Sequence, residues 1–251
     1  MSLLEVRGVT MKFGELAANR DVSFDVEAGT IAGLIGPNGA GKTTLFNCVA
    51  GYYRPSAGSI RFDGREIAGL PPHAVARLGL ARTFQIVRPL KEMSCLENVM
   101  VGAFLRTASP KEAREVAERC LASCFLADFA GRIAGGLTIG NKKRLEIARA
   151  LATGPKLLLL DEAMAGLTST EVREMVEVVR SLRSGGLTVL MVEHIMEAII
   201  PIADRIVVLH HGEKIAAGVP AAVVRDPAVV AAYLGGKYAK KLGEAGAGGR
   251  P

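Results

Sequence analysis

Residues 31–44 read IAGLIGPNGAGKTT, and this stretch decides the fold. Thr30 to Ile35 is a nearly continuous apolar run of strand length, as expected for a strand buried on both faces. It runs straight into Gly36 to Thr44, which fits the spacing G-x-x-x-x-G-K-[ST] with Gly36, Gly41, Lys42 and Thr43 in the fixed places. Thr43 to Ala50, stopped by Gly51, reads as a helix. Strand, glycine-rich turn and helix in that order form a phosphate-binding loop. The glycines let backbone N–H groups approach phosphate oxygens closely, and the helix N-terminus favours an anion. Pro37, Asn38, Gly39, Ala40 and Thr44 fill the rest of the cradle. The Lys42 ammonium can bridge the β- and γ-phosphates, and the Thr43 hydroxyl can ligate Mg²⁺.

Outward from this loop, Leu157-Leu158-Leu159-Leu160-Asp161-Glu162 is a second buried strand that delivers two carboxylates at its C-terminal end, where ligands of α/β sheets bind. Asp161 is assigned to the Mg²⁺ shell and Glu162 to polarising a water for attack on the γ-phosphate. Leu187 to Val192 is a third short apolar run. Between the last two, Val172, Met175, Val179 and Leu182 fall on one helical face, with Thr168 to Glu171 as a capping box and Gly185-Gly186 as the stop. Earlier in the chain, Leu3 to Val9 and Val22 to Val26 alternate as half-exposed strands do, and Ser59 to Phe62 before Asp63-Gly64 reads as a short edge strand. Residues 87–150 read as helical, including a run from Pro110 to Phe125. The whole is α/β with a helical insert.

The 251 residues are 49% hydrophobic, enough for a sizeable core. No apolar run reaches the roughly 20 residues of a bilayer-spanning helix. Met1 to Thr10 carries Glu5 and Arg7 in an alternating pattern and reads as a strand rather than a signal peptide. A chain made and kept in the cytoplasm is expected. The four cysteines, Cys48, Cys95, Cys120 and Cys124, lack zinc-site spacing and suit a reducing compartment as free thiols. Of the net charge of +6, part sits in the Gly-rich end, where Lys237, Lys240, Lys241 and Arg250 face only Glu244. That end reads as a solvated tail over residues 236–251. Charge without interleaved aromatics argues against nucleic acid as a partner.

Between the two nucleotide motifs, Leu137-Thr138-Ile139-Gly140-Asn141 leads into KKRLEIARAL at 142–151. This resembles the LSGGQ-type signature and helix of ABC ATPases, and the order of phosphate loop, Gln85, signature, Asp161-Glu162 and His194 is similar to that family over about residues 3–235. The resemblance implies a P-loop NTPase core of ABC type (1–86 and 151–235) with an antiparallel β subdomain and a helical subdomain (87–150) within a single domain, 1–235. It implies ATP and Mg²⁺ as ligands. It implies that Phe13 stacks on adenine, that Gln85 senses Mg²⁺ and the attacking water, and that His194 contacts the γ-phosphate. Thr138 and Gly140 would meet the nucleotide of a second ATP-binding subunit, which makes a dimer around two ATP molecules. Membrane-spanning permease subunits would be the mechanical partners, with a periplasmic or extracellular solute-binding protein acting indirectly. The place of work would be the cytoplasmic face of the membrane.

Three residues depart from the family pattern. Thr138 stands where Ser is usual, Asn141 where Gln is usual, and Thr168 where many members have Asp. Threonine keeps a hydroxyl for a phosphate oxygen. The departures point to weaker hydrolysis at the site this signature completes. Arg82-Thr83-Phe84-Gln85, Leu96-Glu97-Asn98-Val99, Arg144 to Arg149 and Ala231 to Gly235 resemble the branched-chain amino acid importer group, which includes importers of urea and amides. Two other classes are weighed against transport. An ABC ATPase remodelling ribosomes or DNA would carry paired units or long coiled coils, and a P-loop kinase would need neither the signature nor His194.

Overall fold

The computed structural model describes residues 2–193 and 195–234. In chain order the strands and helices are β1 (Ser2–Phe13), β2 (Leu16–Glu27), β3 (Ile31–Ile35), α1 (Lys42–Val49), β4 (Ala57–Phe62), β5 (Arg65–Glu66), α2 (Pro72–Leu78), β6 (Leu80–Arg82), α3 (Cys95–Ala103), α4 (Pro110–Ser123), α5 (Ile139–Leu151), β7 (Leu157–Asp161), α6 (Ser169–Ser184), β8 (Thr188–Val192), α7 (Met196–Ile199), β9 (Arg205–His210), β10 (Glu213–Gly218), α8 (Pro220–Val223) and α9 (Pro227–Leu234). They build an antiparallel sheet in the order β2-β1-β4-β5 and a six-stranded sheet in the order β10-β9-β3-β8-β7-β6. In the larger sheet only β10 runs antiparallel to its neighbour.

Both faces of the parallel sheet are buried, which is why its strands read as unbroken apolar runs rather than alternating ones. The strand period of two sends alternate residues into two different cores. Leu157, Leu159, Leu190, Val192, Val207 and Leu209 pack toward α1 and the antiparallel sheet. Leu158, Leu160, Val189, Met191, Ile206 and Val208 pack toward α3, α4, α5 and α6. Gly33 in β3 lies against α7: a Cβ there would lie 2.6 Å from Cδ1 of Ile199, so a side chain at this point would force the Ile199 side chain to repack.

The helix ends follow the chemistry of their sequences. Ser94 and Glu97 form a capping box on α3, and Thr168 and Glu171 form the expected one on α6. Pro110 occupies the first turn of α4 behind a Ser109 cap. Two expectations are corrected. The strand containing Ser59 to Phe62 is not at an edge: Asp63 and Gly64, both at positive φ, turn the chain so that Arg65–Glu66 pairs outside it. The first two strands are also longer than their alternation indicates, because register shifts between Val6 and Val9 and between Val9 and Met11 reset the pattern. The tail assigned to 236–251 lies outside the described residues.

A candidate nucleotide site at the strand ends

The phosphate-loop residues follow β3 directly. Gly36 has φ 151°, and a Cβ on it would collide with the Leu209 carbonyl oxygen at the end of β9. Gly41, at φ 94°, is the N-cap of α1 and packs against Ala18 and Asn19 of β2. Only glycine satisfies both the backbone angle and the close approach at these two points. The loop is tied into the fold at its far end too, since the Gly212 N–H donates to the Ala40 carbonyl and the Arg20 N–H to the Gly212 carbonyl.

Asn38, Gly39, Ala40, Gly41, Lys42, Thr43 and Thr44 line one side of a cavity of about 710 Å³; Gln85 and Glu162 line the other. The Lys42 side chain is 6% exposed, and its ammonium donates to the carbonyls of Gly36 and Pro37 at 2.7 and 2.9 Å. Burial lowers its pKa, opposed by the nearby Glu162 and Asp161 carboxylates. Gln85 Nε2 donates to Glu162 Oε2 at 2.8 Å, so the two residues assigned to the attacking water touch each other.

Glu162 sits at φ 49°, a left-handed backbone that costs a non-glycine residue about 1–2 kcal/mol. The surrounding structure holds it there from two directions. Its N–H donates to the Val192 carbonyl of β8. The ammonium of the buried Lys143 of α5 donates to the carbonyls of Glu162 and Ala165 at 2.9 and 2.8 Å. The strained turn aims the Glu162 side chain into the cavity while its backbone stays fixed.

Asp161 is 2% exposed on the α1 face of β7. Its Oδ2 accepts from Arg82 Nη2 at 2.9 Å, whereas its buried Oδ1 has no protein partner. Burial raises the Asp161 pKa, and Arg82 opposes that shift. A buried carboxylate oxygen without a hydrogen bond is a donor of the kind a hard divalent cation takes, and Thr43 and Gln85, which line the cavity with the neighbouring Glu162, add oxygen donors of the same kind. The residues therefore fit Mg²⁺.

Phe13 lies at the end of β1, with its ring edge-to-face on Tyr53 at 5.4 Å. It is outside the set lining the cavity, whose wall on that side is Leu16, Ala17, Ala18 and Arg20. His194 lies outside the described residues; the strand end before it is beside the carboxylate pair, since Val192 stands in register with Asp161. Thr138 and Gly140 are not brought to the phosphate loop. Thr138 is the N-cap of α5, its hydroxyl oxygen accepting from the Asn141 N–H, and it lines a separate cavity of about 250 Å³. The Thr168 hydroxyl is engaged in the α6 cap.

Sequence reasoning missed several residues here. His211, in a turn at φ 49°, lines the nucleotide cavity. Arg82 appeared only as part of a subfamily pattern, and Lys143 only inside the signature helix. For Arg82 the available signal was a charged residue at the end of an apolar run, which points to burial with a partner; Lys143, flanked by Lys142 and Arg144, offered none.

This geometry defines a phosphate-loop nucleotide hydrolase built on a parallel sheet. Residues 19–165 match the family described as ABC transporter, and residues 213–239 match the family described as branched-chain amino acid ATP-binding cassette transporter. The chain belongs to the ABC transporter family and is an ATP-binding, ATP-hydrolysing cassette. It is 45% identical to the high-affinity branched-chain amino acid transport ATP-binding protein BraF of Pseudomonas aeruginosa, over 93% of this chain and 98% of that protein. It is 41% identical to the corresponding LivG protein of Escherichia coli, again over 93% and 98%. Its fold is similar, with a TM-score of 0.85 and 33% identity over 94% of this chain and 99% of the other, to a crystal structure of the ADP conformation of an ATP-binding cassette of an ABC transporter.

Proposed function

We propose that this chain is the ATP-hydrolysing subunit of an importer for branched-chain amino acids or related small solutes. The similarity to two high-affinity branched-chain amino acid transport ATP-binding proteins over nearly their whole length supports the solute class. The observation that carries the chemistry is the contact between Gln85 and Glu162 on the wall facing Lys42 and Thr43. In this reading the backbone amides of residues 36–44 and the Lys42 ammonium hold the triphosphate, and Phe13 meets the adenine. Glu162 takes a proton from the attacking water, Gln85 orients that water, and His194 contacts the γ-phosphate. Thr43, Asp161 and Gln85 hold Mg²⁺, which supplies charge neutralisation at the phosphates.

The separation of the signature from the phosphate loop supports a second subunit. Thr138 and Gly140 sit at the N-terminus of α5, a place for a phosphate, yet neither lines the cavity lined by Lys42, and Thr138 lines a separate one. Two chains arranged head to tail give each signature the other's nucleotide. ATP then favours the closed pair, and hydrolysis releases it. Among the described residues no helix is long and apolar enough to cross a membrane. The work is delivered to permease subunits at the cytoplasmic face, through the helices of residues 87–150 and the segment after Gln85. A solute-binding protein outside the membrane delivers the cargo.

Uptake of labelled leucine, isoleucine, valine, urea and short amides by cells deleted for this chain tests the reading. Restoration of branched-chain uptake by the wild-type chain, and not by Glu162→Gln, is expected. Uptake that is unchanged by the deletion removes the importer assignment.

A further inference from the structure

Arg82, the last residue of β6, connects the end of β7 to α1. Its guanidinium is 8% exposed. Nη2 donates to Asp161 Oδ2 at 2.9 Å, and Nη1 donates to Asn47 Oδ1 of α1 at 2.5 Å. One planar fork thus ties the carboxylate at the end of β7 to the helix that follows the phosphate loop, three residues ahead of Gln85 in the chain. Lysine has no such fork. The guanidinium carbon lies 5.9 Å from the ring centre of Phe46 and 5.5 Å from those of Tyr52 and Phe84.

Two of those rings are open to solvent. Tyr52 is 48% and Phe84 45% exposed, and they meet edge-to-face at 6.0 Å. Together with Arg82, Glu146 and Arg149 they line a groove of about 370 Å³ between α2, α3 and α5. The groove and the nucleotide cavity share no lining residue. Arg82 lines the groove and also bonds to the carboxylate behind it.

We propose that Arg82 is a positioning residue for the magnesium carboxylate, and that it links the aromatic groove to the metal. The reason lies in how Asp161 is partnered. Arg82 occupies one of its oxygens and leaves Oδ1, buried and without a protein hydrogen bond, as the oxygen available to a cation. Without the fork, both oxygens of a buried carboxylate compete for the same few partners, and its rotamer is no longer fixed. Pressure on the Tyr52–Phe84 pair from the groove side moves the guanidinium stacked beneath it, and the carboxylate with it. The inference rests on the assignment of Asp161 to the metal.

The test separates metal binding from nucleotide binding in the full-length chain. Affinity for a fluorescent ATP analogue is measured without divalent cation and then across a magnesium titration, for wild type, Arg82→Met, Arg82→Lys, Tyr52→Leu/Phe84→Leu and Asp161→Asn. For Arg82→Met, metal-free affinity is expected to stay within about twofold. The magnesium concentration for half-maximal enhancement should rise by about 10-fold or more, the usual scale for losing an outer partner of a metal ligand. Arg82→Lys should not restore it, and the double aromatic variant should shift the midpoint in the same direction by a smaller factor. If Asp161→Asn shifts the midpoint and Arg82→Met does not, the positioning role is wrong. If Asp161→Asn itself leaves the midpoint unchanged, the metal assignment beneath it is wrong. Should Arg82→Met fail to fold, the aromatic double variant decides: an unchanged midpoint there overturns the link to the groove.

Discussion

Glu146 of α5 gives the molecule a pH-dependent weakness that a single substitution should remove. Its carboxyl is buried in the floor of the groove and accepts the Phe84 N–H at 3.2 Å. Burial pushes its pKa from 4.5 up to about 7, against opposing contributions from the Phe84 hydrogen bond and from Arg149 and Lys143. Below about pH 4.5 folded and unfolded chains both hold the proton. Between there and about 7 the folded chain keeps a proton that the unfolded chain has released, so stability falls as pH rises; above 7 the loss is complete. At about 1.4 kcal/mol per pH unit, that span is worth about 3 kcal/mol. Glu146→Gln keeps a carbonyl for the Phe84 N–H and carries no charge. Its advantage over wild type should be small at pH 5 and approach about 3 kcal/mol at pH 8, or about 6–12 °C in Tm for a chain of this size. Thermal unfolding by circular dichroism at matched ionic strength across pH 5–8 reads it directly. A Tm difference that is constant over this range refutes the reasoning.

Gly36→Ala places a Cβ against the Leu209 carbonyl oxygen at a backbone angle alanine resists, and should lower stability by about 2 kcal/mol or more and abolish ATP binding, measured by unfolding and by nucleotide titration. Lys143→Met removes two ammonium hydrogen bonds to the carbonyls of the Glu162 turn; at about 1.5–3 kcal/mol each for charged donors, kcat should fall at least about 10-fold while ATP affinity changes little. An unchanged kcat would show that the turn holds without it. Glu162→Gln should retain ATP binding, lower turnover by about 10²–10⁴-fold and trap an ATP-bound dimer visible by size-exclusion chromatography. Normal hydrolysis by this variant removes Glu162 as the base.

The parts of the fold legible from sequence are those in which neighbouring residues decide the structure. β3 with its loop and α1, the Leu157 to Asp161 strand, and α6 with its Thr168 cap all follow from local pattern and chemistry. What stayed hidden depends on the crossovers. Arg82 meets Asp161 across 79 residues because β6 and β7 lie side by side in parallel, and Lys143 reaches Glu162 because α5 packs back over the end of β7. No period or motif in the chain carries either contact. The lengths of β1 and β2 were concealed differently, since their register shifts break the alternation that a strand is read by. The placement of Thr138 and Gly140 away from Lys42 is likewise a matter of three-dimensional arrangement, although each motif stands plainly in the sequence.

Several residues that violate local rules of stability gather around one place. Glu162 and His211 are non-glycine residues at left-handed φ, Lys42 and Asp161 are buried charges, and Asp161 Oδ1 and Arg82 Nε are buried polar atoms without partners. A core selected for stability alone would replace such groups, because each costs free energy and Asp161 is paired with Arg82 in a way that leaves its Oδ1 unsatisfied. The compensation is visible nearby: the Val192 and Lys143 clamps on the Glu162 turn, the Gly212 tie to the loop, and the aromatic rings around Arg82. The two clamps on the Glu162 turn come from β8 and α5 rather than from the turn they steady, so the site keeps its shape while the cavity between its walls stays open to a triphosphate. Strain held in this way is what a hydrolytic site requires. In the reading proposed above, the carboxylate and the glutamine act on water and must already be aimed when nucleotide arrives, because reorganising them during the reaction would add to the barrier.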